Sequence, residues 1–402
     1  MWVRRGVSLV VACEMPPVTR RARCMVKFLH TSDWQLGASM GQVPGDKGAL
    51  LRAERLAAVE RIGGLATERQ VDFVIVAGDL FDAHTVDNEI VTRALEVLSR
   101  FSVPIYAIPG NHDFSGAPES VYARKRFIDR CPKQLHLLDE KRPVAVTGCS
   151  VTLLPCPLLQ RHTVVDPTRW LTDDTARTEP NQIRVAIAHG SIVDFESEEG
   201  GTTPNLIDPA IVDAAKLDYL ALGDWHGTRR VADKAWYSGT PEPDRFKENQ
   251  SGNVLIVEID SPGAIPKLDT IRSAGCQWFR RSASIHDADD LAALEQWFSD
   301  LSEPQKTLVR LEYEGVLGME ELRRFGDLLD TQAELLLYLR HRGNGVQLEP
   351  TDEELESLGR EGLTGRVAET LRQQVGDDSD DGRIASLALQ MLFQCSRSIG
   401  GE

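Results

Sequence analysis

Short apolar runs, each closed by a polar or glycine-bearing tip, recur through the first two-thirds of the chain. Phe28-Leu29-His30, Phe73-Val74-Ile75-Val76-Ala77, Ile105-Tyr106-Ala107-Ile108 and residues 183–188 and 217–222 are of this kind. Runs of about five apolar residues bounded by glycine and proline read as buried strands. A further run over 253–259 is closed by Ser261-Pro262-Gly263, and the pattern then changes. A strand over 278–285, a helix over 287–301, a strand over 307–313, a helix near 319–329 and a strand over 334–340 make a small α/β module. The first of these helices starts on an aspartate and places Leu291, Leu294, Trp297 and Phe298 at roughly helical spacing. Residues 351–374 are helix-prone, and 376–382 read as an acidic linker. Ile384, Leu387, Ala388, Met391 and Leu392 then form one apolar helical stripe. That stripe either packs on its own chain or docks a partner.

The chemistry sits at the ends of the first set of strands. The tips are Asp33-Trp34-Gln35, Gly78-Asp79-Leu80-Phe81-Asp82, Gly110-Asn111-His112-Asp113 and Gly223-Asp224-Trp225-His226, and His189 ends the run over 183–188. In α/β sheets, groups just beyond the carboxyl ends of strands converge on a ligand crevice. Asp, Asn and His gathered there are divalent-metal ligands. Asp33/Gln35 and Asp224/His226 are i, i+2 pairs, which share one face of extended backbone and could clamp one ion or two adjacent ions. A single Gly-Asp at a strand end is an ordinary turn; the whole set, in this order, points to a metal centre.

These motifs resemble the calcineurin-like metallophosphoesterases, whose pattern is D-x-H, GDxxD, GNH[DE], a lone His and GHxH. Residues 28–33, 77–82 and Tyr237-Ser238-Gly239-Thr240-Pro241 are similar, more narrowly, to SbcD-type DNA-repair exonucleases, nuclease halves of complexes with long SMC-like ATPases. The resemblance implies a first ion held by Asp33, Gln35, Asp79 and His226. It implies a second held by Asp79, Asn111, His189 and Asp224, with Asp79 bridging. His112 would face the scissile phosphate as general acid or charge stabiliser. Two ions roughly 3.5–4 Å apart bind both the attacking and leaving oxygens of a phosphodiester.

Two positions depart from the family pattern. Gln35 stands where a histidine is expected, and Asp224 stands for the first histidine of GHxH. Exchanging imidazoles for oxygen donors moves the expected preference from zinc to Mn²⁺ first and Mg²⁺ second. The alternative is a first site that binds weakly, in a protein that has lost activity. Asp82 and Asp113 are expected to orient neighbouring groups, and His84, His136, His162 and His286 to be surface or hydrogen-bonded histidines. Trp34 and Trp225 are expected to point away from the ligands.

Composition sets the remaining bounds. A chain of 402 residues has room for two or three domains. No apolar stretch approaches the ~20 residues of a transmembrane helix, so no membrane association is expected. Seven cysteines scattered without C-x-x-C spacing suit a reducing cytoplasm. Residues 1–24 read as a dispensable extension ahead of Met25. The net charge of −16 is awkward for a solitary DNA-binding protein, because Lys and Arg supply most non-specific DNA affinity. Basic clusters nevertheless exist at Arg124-Lys125-Arg126 with Arg130 and Lys133, at Arg229-Arg230, and at Arg245 with Lys247.

The expected architecture is a four-layer α/β/β/α metallophosphoesterase sandwich over 25–260, a small α/β capping domain over 261–342 and a helical tail over 343–402. The expected activity is metal-dependent hydrolysis of DNA, as exonuclease or endonuclease, with an SMC-like coiled-coil ATPase as partner. A homodimer is expected by resemblance. The rivals are a phosphodiesterase for small substrates such as cyclic nucleotides, and a non-catalytic scaffold that binds DNA ends or the ATPase.

Overall fold

The computed structural model describes residues 25–192, 204–247, 249–348, 362–375 and 379–399. The extension 1–24 and part of the acidic linker lie outside these. In chain order the first half runs β1 (Val26–Thr31), α1 (Gly45–Glu68), β2 (Phe73–Val76), α2 (Asn88–Leu98), β3 (Ile105–Ala107), α3 (Lys125–Arg130) and β4 (Leu135–Leu137). Next come β5 (Val144–Ala145), β6 (Val151–Cys156), β7 (Ile183–His189), α4 (Ile211–Ala214), β8 (Tyr219–Gly223), β9 (Arg229–Ala232), β10 (Ala235–Tyr237), β11 (Asn253–Ile259) and β12 (Lys267–Arg272).

These strands form two six-stranded sheets, ordered β12-β11-β1-β2-β3-β4 and β5-β6-β7-β8-β10-β9. Side-chain alternation decides how they stack. Phe28, Phe73 and Ile75 of the first sheet meet Val185, Ile187 and Tyr219 of the second in one buried cluster. Phe28 stacks on Phe73 within its sheet at 5.1 Å and meets Tyr219 of the other edge-on at 5.5 Å. The alternate residues Leu29, Val74 and Val76 pack instead beneath α1 and α2. On the far side, Ala186, Ala188, Leu220 and Leu222 pack under α4 and the turn bearing Trp170 and Leu171. Apolar residues at consecutive positions thus feed opposite faces, and the result is an α/β/β/α sandwich. β1, β2 and β3 in one sheet, and β7 and β8 in the other, end at the same edge, where the polar tips lie.

The antiparallel pairing of β12 with β11 carries the first sheet past 260 to Arg272. The smaller module follows as β13 (Gln277–Ile285), α5 (Ala288–Ser299), β14 (Thr307–Leu317), α6 (Met319–Leu335) and β15 (Tyr338–Leu348), three parallel strands ordered β13-β14-β15. Asp287 caps α5, its Oδ1 accepting from the backbone N–H of Asp289 and Asp290 at 3.0 and 2.9 Å. Both helices cover one sheet face, burying Leu291, Leu294, Phe298, Phe325 and Leu329 against Val309 and Leu311. The strand expected over 334–340 begins only at Tyr338, because α6 continues to Leu335 and Leu336 is buried at its end. At the opposite end of the sheet, Leu308, Trp278 and Tyr338 pack on Met40, Val43, Leu51 and Phe246, which joins the module to the sandwich.

α7 (Leu363–Arg372) and α8 (Asp380–Ile399) form a helical pair at the C-terminal end. Ala368 and Leu389, with Leu371 and Leu392, bury against Met319 and Leu348. The stripe expected to act as one face is therefore divided. Leu392 packs inward with Leu389, whereas Ile384, Leu387 and Met391 are exposed at 64, 59 and 58%.

Candidate metal centre

Four of the candidate ligands owe their position to unusual backbone. Asp33, Gln35, Asp79 and Asp224 have φ of 53, 44, 55 and 101°, in or beyond the left-handed region that side chains other than glycine seldom adopt. The i, i+2 pairs are therefore not on extended backbone as expected. Tight turns beyond β1, β2 and β8 aim these groups inward. The turns are laced together: Asp33 N–H donates to Gly78 O at 3.1 Å and Gln35 N–H to Asp79 O at 2.9 Å. Gly110 and Gly223 let the loops close up. A Cβ at Gly110 would lie 2.1 Å from Asp79 Oδ1, and one at Gly223 1.9 Å from Ala77 O.

The centre of the cluster is Asp33, Asp79 and His189, all buried, each offering one atom within 4.8 Å of the others. His189 Nδ1 hydrogen-bonds Ala77 O at 2.8 Å, so Nδ1 carries the proton and Nε2 faces the carboxylates. Nε2 lies 3.0 Å from Asn111 Oδ1, 3.6 Å from Asp79 Oδ2 and 3.7 Å from Asp224 Oδ1. Burial alone would lower the His189 pKa, but Asp79, Asp33 and Asp224 outweigh it and raise it to about 9. Burial likewise raises Asp79 above the ordinary carboxylate range, against the pull of His189. Ser191 Oγ donates to Asp224 Oδ2 at 2.8 Å and Ser32 Oγ to Asp33 Oδ2 at 2.6 Å, fixing both carboxylates.

Gln35 and His226 lie to one side. Gln35 Nε2 is 3.2 Å from His226 Nε2, and His226 Nδ1 donates to Asp244 Oδ2 at 2.8 Å. Burial would lower His226, but the Asp244 bond overcomes it and the pKa is raised. His112 stands across the cluster. Its backbone N–H donates to Asp79 Oδ1 at 3.0 Å, and its Nδ1 donates to Asp82 O at 2.8 Å, leaving Nε2 outward on a side chain 31% exposed. All eight singled-out residues thus belong to one contiguous network. The donor set of carboxylates, imidazoles and amides suits divalent cations. The carboxylate field that draws a proton onto His189 is the field such a cation would experience.

The supporting residues divide into expected and unforeseen. Asp113 accepts from Gly110 N–H at 2.7 Å, from Phe81 N–H at 3.1 Å and from the Tyr122 hydroxyl, tying two motif loops together. Trp34 is buried, donating to Thr31 Oγ1 at 3.0 Å. Trp225 is only half-buried, with Lys247 Nζ and the Arg229 guanidinium 4.8 and 5.8 Å from its ring centroid. Arg124 is engaged by the backbone carbonyls of His84, Val86 and Glu119. Arg55 and Asp244 were not singled out from the sequence. Arg55, 2% exposed on α1, donates to Trp34 O at 3.1 Å, Glu242 O at 3.2 Å and Asp33 O at 3.4 Å. It clamps the first ligand loop to the segment that carries Asp244.

Comparison with known proteins agrees with this geometry. The profile of the calcineurin-like phosphoesterase family matches residues 26–228, just over half of the chain. The D subunit of nuclease SbcCD from Bacillus subtilis is 25% identical over 338 residues, 74% of this chain and 82% of the relative. Its namesake from Staphylococcus epidermidis is 24% identical, covering 59% of this chain and 67% of the relative. DNA double-strand break repair protein Mre11 of Methanopyrus kandleri is 25% identical, covering 60% and 55% respectively. With its sandwich fold, its strand-tip motifs and this match, the chain belongs to the calcineurin-like phosphoesterase family, metal-dependent hydrolases of phosphate esters.

Proposed function

We propose that the chain is a DNA nuclease of the SbcD type that cleaves phosphodiester bonds with two divalent ions, Mn²⁺ in preference to Mg²⁺. The observation that carries this reading is the convergence of Asp33, Asp79 and His189 with Asn111, Asp224 and His112 at one sheet edge. Asp33, Gln35, Asp79 and His226 would hold one ion, and Asp79, Asn111, His189 and Asp224 the other. Bound there, the ions supply an activated water and neutralise charge on the phosphoryl oxygens.

The chain's own groups do the rest. Asp79 would be shared by both ligand groups. His226 is held in one tautomer by Asp244, and His189 by Ala77 O. The bond from His112 Nδ1 to Asp82 O directs Nε2 toward the open side of the cluster. From there it can give a proton, or a hydrogen bond, to a departing oxygen.

A DNA substrate is favoured over a small diester by the SbcCD and Mre11 relatives, and by structure added to the sandwich. The exposed Ile384, Leu387 and Met391 of α8 support a helix-docking site for an ATPase partner. No helix among the described residues is long and apolar enough to cross a membrane, which suits action in the cytoplasm. The test is cleavage of labelled linear duplex and single-stranded DNA in Mn²⁺, beside Asp79→Ala and His112→Ala. DNA cleavage lost in both variants supports the proposal. Turnover of a small diester but not of DNA refutes the DNA reading, and turnover of neither refutes catalysis.

A further inference from the structure

The parallel sheet of the capping module has two unlike faces. α5 and α6 cover the one bearing Phe279, Val309, Leu311 and Leu339. The other face begins at the sandwich with Trp278, Leu308 and Tyr338 and then runs out uncovered by any of the described residues. Its next cross-strand row is Arg280, Arg310 and Arg340, paired directly with one another across all three strands. The row beyond is Ser282, Glu312 and Arg342.

Like charges placed directly opposite in a sheet are destabilising, and adjacent strands lie only about 4.8 Å apart. One carboxylate is shared among the arginines: Glu312 meets Arg280 at 2.9 Å and Arg310 at 2.7 Å. Arg340 and Arg342 are exposed, with no carboxylate in ion-pair contact among the described residues. Four arginines thus face Glu312 and Glu314 on a chain whose net charge is −16. An open depression of about 620 Å³ on this face is lined by Ser282, Ser284, Arg310, Glu312, Glu314 and Arg342. An arrangement that costs stability and concentrates positive charge on an open, polar surface fits an external polyanion. Guanidinium forks suit phosphate in particular. The patch is roughly 10 Å across three strands and 7 Å along them, an extent suited to a few backbone phosphates.

We infer that this uncovered sheet face, through Arg280, Arg310, Arg340 and Arg342, binds the phosphate backbone of the nucleic acid being processed. This rests on the proposed DNA nuclease function and adds a contact surface made of residues outside the metal-ligand set. The contacts are to backbone phosphates, so the face carries no base specificity.

The test compares DNA binding as a function of salt, by fluorescence anisotropy with a labelled duplex. The full-length His112→Ala chain in Mn²⁺ serves as parent, so that the substrate survives. Adding Arg310→Gln, Arg340→Gln and Arg342→Gln together should lower the slope of log K against log salt by about 3. Affinity should fall on the order of tenfold at low salt. Glu312→Gln should act in the opposite sense, steepening the slope by about 1. The thermal midpoint of the triple variant should hold or rise, since repulsion is relieved. An unchanged slope in both variants, or a parent that binds no duplex, overturns the inference. With His112 restored, cleavage of DNA and of bis(p-nitrophenyl) phosphate reports separately on the nuclease reading. DNA cleaved despite an unchanged slope removes only the sheet face, whereas diester cleavage without DNA cleavage removes the nuclease reading itself.

Discussion

His226 Nδ1 donates to Asp244 Oδ2 at 2.8 Å, and this bond fixes which ring nitrogen faces Gln35. Asp244 is held ionised well below the ordinary carboxylate range. Burial opposes that state, but the bonds from His226 and Arg245 prevail. Groups that orient a metal-binding histidine typically affect metal affinity 10- to 100-fold. Asp244→Asn should therefore weaken one of two Mn²⁺ binding events by about that factor, measured by isothermal titration calorimetry. Equal weakening of both, or of neither, would contradict this role.

Gln35 stands where the family pattern has a histidine; its amide carries no charge, and in this structure it hydrogen-bonds His226. Gln35→His should tighten the same binding event that Asp244→Asn loosens, and should shift preference toward Zn²⁺. Competition between Mn²⁺ and Zn²⁺, followed by metal analysis of the dialysed protein, measures this. An unchanged preference would place Gln35 outside the ligand set.

His189 makes the metal-free protein sensitive to pH. Its folded pKa of about 9 lies above its ordinary 6.5, so the folded state holds the proton more tightly than the unfolded one. The stabilisation is complete below about pH 6.5 and is lost as pH rises toward 9, amounting to a few kcal/mol. Thermal midpoints in EDTA should fall across this window, and His189→Gln should flatten the fall. Metal binding near neutral pH should release a proton, visible as a buffer-dependent enthalpy.

The Tyr122 hydroxyl donates to Asp113, which also gathers Gly110 N–H and Phe81 N–H. Tyr122→Phe leaves a buried carboxylate short of one donor, costing about 1–3 kcal/mol. Chemical denaturation should show that loss. Activity should fall with it, because Asp113 holds the loop that presents Asn111 and His112.

The strands and the order of their polar tips were legible because the apolar runs are short and sharply closed, whereas the layers of the sandwich followed from the family resemblance. The ligand loops were legible only as motifs. Their convergence depends on positive φ at Asp33, Gln35, Asp79 and Asp224, which residue type permits but does not announce. Arg55 left one signal that passed unread, a charge on the buried stripe of α1 between Leu51 and Ala58. Asp244 left none, for it reaches His226 from a loop 18 residues away. The C-terminal stripe was misdivided because α8 is apolar around more of its circumference than one contact face requires, and packing on α7 selected Leu389.

Anomalous diffraction from crystals soaked in Mn²⁺ tests the two-ion centre most directly. The account predicts two peaks flanking Asp79, one against Asp33, Gln35 and His226 and the other against Asn111, His189 and Asp224. A cleft without peaks, or peaks that leave Gln35 and Asp224 uncoordinated, would contradict it.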